Sequence, residues 1–160
     1  EAIVGMWNEV MGIDVTFVTQ ERAVYLDTRT EGKENIYRNS WVQDYPDANN
    51  FLFDVFGLNA AFTDVVDWPI NVGLNTSEEY TEGDNPNFDR FTELLQQAAN
   101  EQDQQARMDL YAEAEQILLV DEAVVAPLYW YSDDILIRPE IQDTESITGY
   151  DHWEKWDIQR

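Results

Sequence analysis

Hydrophobic residues along this chain recur with two different periods, and the switches between them mark its elements. Ile3, Met6, Trp7, Val10 and Met11 fall on one helical face, and Gly12 stands where that helix should stop, since glycine takes the left-handed cap conformation at little cost. Ile13-Asp14-Val15-Thr16-Phe17 then alternates as a half-buried strand does. Residues 21–30 return to helical character with an end near Gly32, and 36–42 reads as a second strand. Strand, helix and strand in succession predict a βαβ unit with parallel strands and a right-handed crossover.

Pro46 halts the second strand, and Asp47, Asn49 and Asn50 are suited to cap a short helix beginning near Phe51. Residues 56–84 are rich in Asn, Asp, Thr and Gly, with apolar patches at Val65, Val66, Trp68 and Ile70, and read as a long surface excursion. The sequon Asn75-Thr76-Ser77 lies inside it and has meaning only in a source that glycosylates secreted proteins. Asp84-Asn85-Pro86 is a helix-start signal, followed by Phe88, Phe91, Leu94, Leu95, Ala98 and Ala99 on one stripe. Residues 104–120 repeat the pattern with Leu110, Tyr111, Ala114, Ile117 and Leu118, predicting an antiparallel hairpin whose apolar faces meet. Val124 to Tyr131 then reads as a returning strand, at an edge or with an interrupted ladder because of Pro127, and Ile135 to Ile137 continues it. The tail from Tyr150 to Arg160 carries two Trp and shows neither a cap nor a helix. The predicted fold class is α/β.

Composition narrows what such a fold does. With 160 residues, 13% of them aromatic, the chain has the material for a core without disulfides. It opens inside a helical pattern, with neither a starting Met nor an N-cap, and so reads as a piece of a longer protein. Cysteine is absent, which excludes thiol nucleophiles and thiolate metal sites, and His152 is the sole histidine, too few for a zinc site built on several imidazoles. A formal charge of −24 disfavours nucleic acid and anionic membrane as partners. Acids spread along the whole chain, with Lys33 and Lys155 the only lysines, describe a solvated surface suited to high salt more than one acidic binding face.

The most informative stretch is Trp41-Val42-Gln43-Asp44-Tyr45-Pro46-Asp47, at the carboxyl end of the second predicted strand, where open α/β sheets place their ligands. Asp44 and Asp47 admit an acid/base pair of the glycosidase kind, but three-residue spacing in a chain with 33 acids specifies none. A calcium loop of the EF-hand kind fails, because the sixth position from Asp44 is Asn49 instead of Gly and the twelfth is Val55 instead of Glu. Glycine-rich phosphate loops and a nucleophile elbow are absent. A pocket remains, in which the Trp41 ring is a wall and Asp44 receives a cation.

The residues Trp7 to Val15, Tyr25-Leu26-Asp27-Thr28-Arg29, Arg38 to Asp47 and Asn50-Phe51, with the helical hairpin and Val125-Ala126-Pro127-Leu128-Tyr129 after it, resemble the C-terminal part of the oligopeptide-binding proteins of ABC importers. These are extracytoplasmic solute-binding proteins of the peptide/nickel class. The resemblance implies part of a two-lobe, type II periplasmic-binding-protein fold: residues 1–125 in the second lobe, with the hairpin near 86–120, and 126–160 as a returning strand and tail packing toward the hinge or first lobe. That first lobe is not in this chain. It implies a transport protein, not an enzyme, with an oligopeptide and a membrane permease as partners and no cofactor, metal or nucleic acid. The compartment implied is periplasmic or extracellular, with a lipoprotein anchor on the full-length protein.

By the same resemblance Asp44 takes the peptide's α-amine, Trp41 forms the wall beside it, Tyr45 shares the site, and Arg29 and Arg38 stand where relatives engage the ligand's carboxylate. Asp47 is assigned to capping the following helix. Two departures stand out: Ala48 replaces the usual Pro after the second acid, and the acidity exceeds that of most relatives. Alternatives kept open are an oligosaccharide-binding transport protein of the same fold, with Trp41 stacking on a sugar, and a carboxylate-dependent hydrolase.

Overall fold

The computed structural model describes residues 1–31, 33–57, 81–132, 134, 136–142 and 157–158. The chain divides into two compact units, Glu1–Tyr37 and Arg38–Arg160. The sequon, the patches between 65 and 70, Gly32, Ile135, His152 and most of the tail lie outside the described residues.

In the first unit, helix α1 (Ala2–Met11) ends at Gly12, whose φ of 65° and N–H bond to the Asn8 carbonyl make the left-handed cap the pattern predicts. Asn8 also turns the chain beyond, its Oδ1 accepting from the Val15 N–H at 3.1 Å. No residue of α1 is fully buried: Ile3, Val4 and Trp7 are half-buried, and Met6, Val10 and Met11 are exposed. Helix α2 (Arg22–Thr30) starts on Glu21, whose carboxylate accepts from the Ala23 N–H. Its anchor is Thr28, 93% removed from solvent: the hydroxyl donates to the Val24 carbonyl and accepts from Gln20, and the Thr28 carbonyl accepts from the Tyr37 hydroxyl. Tyr25 meets Tyr37 edge to face.

The second unit is built on helices. Helix α3 (Asn49–Phe56) follows the Asp-Tyr-Pro-Asp turn, helix α4 (Pro86–Asn100) begins on Asn85, whose side chain accepts from the N–H groups of Asn87 and Phe88, and helix α5 (Gln104–Gln116) begins on Asp103, which accepts from Ala106. The predicted antiparallel hairpin of α4 and α5 forms. Cross-links at Asn87 with Glu122, Arg90 with Glu113, and Arg107 with the Ala98 carbonyl descend one helix as they climb the other. Phe88, Phe91, Leu94, Leu95 and Ala98 of α4 pack against Tyr111, Ala114, Ile117 and Leu118, with Leu52 of α3 closing the cluster. The stripe in the sequence therefore names the core, apart from Ala99, which is exposed, and Leu110, which is half-buried.

Past α5 the helix loosens into a π turn (Ile117–Asp121). It closes with the Glu122 N–H on the Ile117 carbonyl and the Val124 N–H on the Leu118 carbonyl, across Ala123 at a φ of 49°. Glycine usually occupies such a position.

The strand predictions fare differently. Residues 13–17, 36–42 and 124–131 form neither helix nor strand, so the βαβ unit and the returning strand are not formed among the described residues. The sheet that is described pairs β1 (Ile141–Gln142) antiparallel with β2 (Asp157–Ile158), in the register Ile141 with Ile158 and Gln142 with Asp157. The physical reason lies in how the two element types satisfy their backbones. A helix pairs its own N–H and C=O groups, whereas a strand needs a neighbour at about 4.8 Å, and alternation in one segment does not supply it.

Candidate functional site

The turn from Trp41 to α3 is organised by one residue. Asn50 is completely buried in the second position of α3, where its side chain points back at the loop that precedes the helix. Its Oδ1 accepts from the Trp41 indole Nε1–H at 3.0 Å and from the Asp44 backbone N–H at 2.9 Å. Its Nδ2 donates to the Asp44 carboxylate at 3.2 Å and to the Asp54 carboxylate at 2.9 Å. The amide orientation follows from this set, because two N–H groups require the oxygen and two carboxylates require the nitrogen.

The outer layer of the network is aromatic and acidic. The Tyr45 hydroxyl donates to Asp54 at 2.6 Å and accepts from the Asn49 amide at 2.8 Å. Burial, and then the hydrogen bond to the Asp54 carboxylate, push the Tyr45 phenol above its ordinary range, so it stays protonated and donates. Trp41 is half-buried, while Asp44 and Tyr45 are exposed. The Asp44 carboxylate thus reaches solvent from a backbone fixed from below, and no salt bridge among the described residues engages it.

Asp47, three residues on, is committed otherwise. Its Oδ1 caps α3 through the Asn49 N–H at 2.9 Å, and both its oxygens pair with the Arg107 guanidinium, at 2.7 and 2.9 Å. The Arg107 hydrogen bonds hold the Asp47 carboxyl below the usual carboxylate range, and Asp47 in turn raises the arginine. Arg107 also donates to the Ala98 carbonyl and the Tyr111 hydroxyl and lies over the Tyr111 ring, so the loop is bolted to the α4–α5 hairpin. Ala48 occupies the N-cap position of α3, which starts at Asn49 and not near Phe51, and Asp47 supports the first helical N–H from one residue earlier.

Arg38 donates to the Tyr131 hydroxyl, and Tyr129 and Tyr131 together raise its pKa. Tyr131 meets Tyr129 edge to face at 5.1 Å, and Trp130 meets Phe51 of α3 the same way at 5.4 Å. Two contacts therefore set the 129–131 segment against the part of the unit that carries the loop. Arg29 sits in the last turn of α2, in the first unit. Trp41, Asp44 and Tyr45 are the predicted site residues drawn together through Asn50. Asn50 and Asp54 are the residues sequence reasoning missed; their i, i+4 spacing on one helix face, just after an acidic turn, was the available signal.

No family model matches the chain, and no solved structure matches it. Curated relatives do. The chain is 31% identical over 138 residues, 86% of its length, to the periplasmic murein peptide-binding protein MppA of Escherichia coli. It is 30% identical over 86% of its length to the periplasmic oligopeptide-binding protein OppA of Salmonella typhimurium, and 32% identical over 83% to the oligopeptide-binding protein OppA of Bacillus subtilis. The chain spans only 22%, 22% and 21% of these relatives' own lengths. Over 83–86% of its own length, this chain is similar to these peptide-binding proteins.

Proposed function

We propose that this chain is part of the second ligand-binding lobe of an ABC importer's substrate-binding component, a protein that captures extended oligopeptides by hinge closure and delivers them to a membrane permease. In this reading residues 1–125 belong to that lobe, 126–160 pack toward the hinge or the first lobe, and the first lobe of the same protein supplies the remaining ligand contacts. The segments 13–17 and 36–42 acquire their sheet partners in the whole protein. The protein works outside the cytoplasm, held by a lipid anchor, and catalyses no reaction.

The observation that carries the reading is the exposed Asp44 carboxylate, fixed through Asn50 beside the Trp41 indole. An ammonium about 4 Å from a carboxylate gains ~4 kcal/mol at an effective dielectric of 20, before desolvation is charged against it. Asp44 receives the peptide's α-amine, Trp41 walls the first residue, and Tyr45 closes the same edge. Arg29 and Arg38 take the ligand's carboxylate. Pairing of the peptide main chain gives affinity without side-chain preference, and hydrated pockets tolerate varied side chains. Closure is favoured because the ligand touches both lobes only in the closed state.

Mass spectrometry of ligand carried through purification of the full-length protein should find short peptides. Calorimetry of that protein with a tripeptide should show Asp44→Asn weakening binding about ten- to a hundredfold, the worth of a charge-assisted hydrogen bond. Unchanged affinity in Asp44→Asn would remove amine recognition by this residue.

A further inference from the structure

We propose that Asn50 is the positioning residue of this site, its buried amide holding the Asp44 carboxylate and the Trp41 indole as one rigid unit that presents acid and wall together. The inference rests on the peptide-amine reading above and goes below it, to the residue that sets the recognition geometry.

Asn50 is fully buried and uses its whole amide, receiving Trp41 Nε1–H and Asp44 N–H of the loop on the oxygen and giving to Asp44 of the loop and Asp54 of its own helix from the nitrogen. Among side chains of this size an amide alone offers an acceptor and two donors at one reach. Aspartate here would set a third carboxylate against two others, and leucine would leave the indole and backbone N–H groups buried without acceptors. Asp54 has a part in this, because its carboxylate, fixed by the Tyr45 hydroxyl, draws the amide nitrogen to one side and so determines which face the oxygen shows to Trp41. With one oxygen of Asp44 held by the amide and its backbone N–H held by the same group, the direction of the outer oxygen is set before any ligand arrives. Affinity that would otherwise be lost to ordering the acid is retained.

A double-mutant cycle on the full-length protein tests this, with trialanine and N-acetyl-trialanine as ligands. Asn50→Leu should weaken trialanine about tenfold or more. It should cost the acetylated peptide less, by the share that falls on the Trp41 wall alone, and its cost to trialanine should shrink by the same amount once Asp44 is Asn. Equal losses for both peptides, or additive losses in the double variant, would overturn the positioning role and leave Asn50 a plain structural residue. Should Asn50→Leu fail to fold, Asn50→Ser, which keeps a donor and an acceptor at shorter reach, carries the same cycle.

Hydrogen exchange of the Trp41 indole proton, followed by NMR without ligand, separates this inference from the reading it rests on. Wild type should protect that proton and Asn50→Leu or Asn50→Ser should expose it; equal exchange in wild type and variant would overturn the inference whatever the peptides do. If Asp44→Asn leaves trialanine binding intact while indole protection depends on Asn50, amine recognition falls and the positioning of Trp41 by Asn50 stands.

Discussion

Asp44 and Asp47 are the same residue type three positions apart, and their partners separate their roles. Asp47 faces a guanidinium and caps a helix; Asp44 faces an amide and solvent. Because Arg107 lowers the Asp47 pKa in the folded state, the pair's stabilisation is complete above the ordinary carboxylate range of about 4 and is lost as pH falls through the lowered value. Arg107→Met should cost about 1–3 kcal/mol at neutral pH. It should also flatten the loss of stability below about pH 4, as chemical denaturation across pH would register. A variant with the wild-type acid profile would show that the pair is not coupled to folding. At this scale the sequence pointed to Asp44 and Trp41 as residues that share one turn, and both bond to Asn50 there. It hid Asn50, because a buried amide and a helix-capping amide look alike until its four partners are placed.

Among elements, the helices were legible and the strands were not. Asn85 caps α4, Gly12 ends α1, and the stripe from Phe88 to Ala98 enters the core, since each of these signals acts within a few residues of itself. Alternation at 13–17 and 36–42 describes a segment ready to pair, whereas pairing is a property of two segments. The π turn was illegible for a similar reason: Ile117 and Leu118 keep the helical stripe and stay buried while the backbone bonds beneath them shift. Its closing residue allows a test. Ala123 holds a positive φ that costs an L side chain about 1–2 kcal/mol, part of which glycine's greater unfolded-state freedom offsets. Ala123→Gly should therefore stabilise the hairpin unit by about 0.5–1 kcal/mol, and a lowered thermal midpoint would contradict the cap geometry. Phe91→Ala, emptying a fully buried position between α4 and its partners, should cost about 3–5 kcal/mol in the same measurement.

For the molecule as a whole, charge governs behaviour. Thirty-three acids against nine bases repel one another in dilute buffer. Raising salt from low to molar shortens the screening length from tens of ångströms to about 3 Å, so the unfolding midpoint should rise over that range. A flat or falling midpoint would count against salt adaptation. The chain spans about a fifth of the length of the relatives it matches; α1 has no fully buried residue, and Leu128, Trp130 and Leu136 are exposed. Trp41, Asp44 and Tyr45 nevertheless have their local geometry within the second unit, held by Asn50 and by the Asp47–Arg107 bolt. The most direct measurement is a structure of the full-length protein with a bound tripeptide. The peptide's terminal nitrogen should lie about 3 Å from the Asp44 carboxylate, with the Trp41 ring alongside. A terminal amine paired with another acid, or turned to solvent with Asp44 unoccupied, would contradict it.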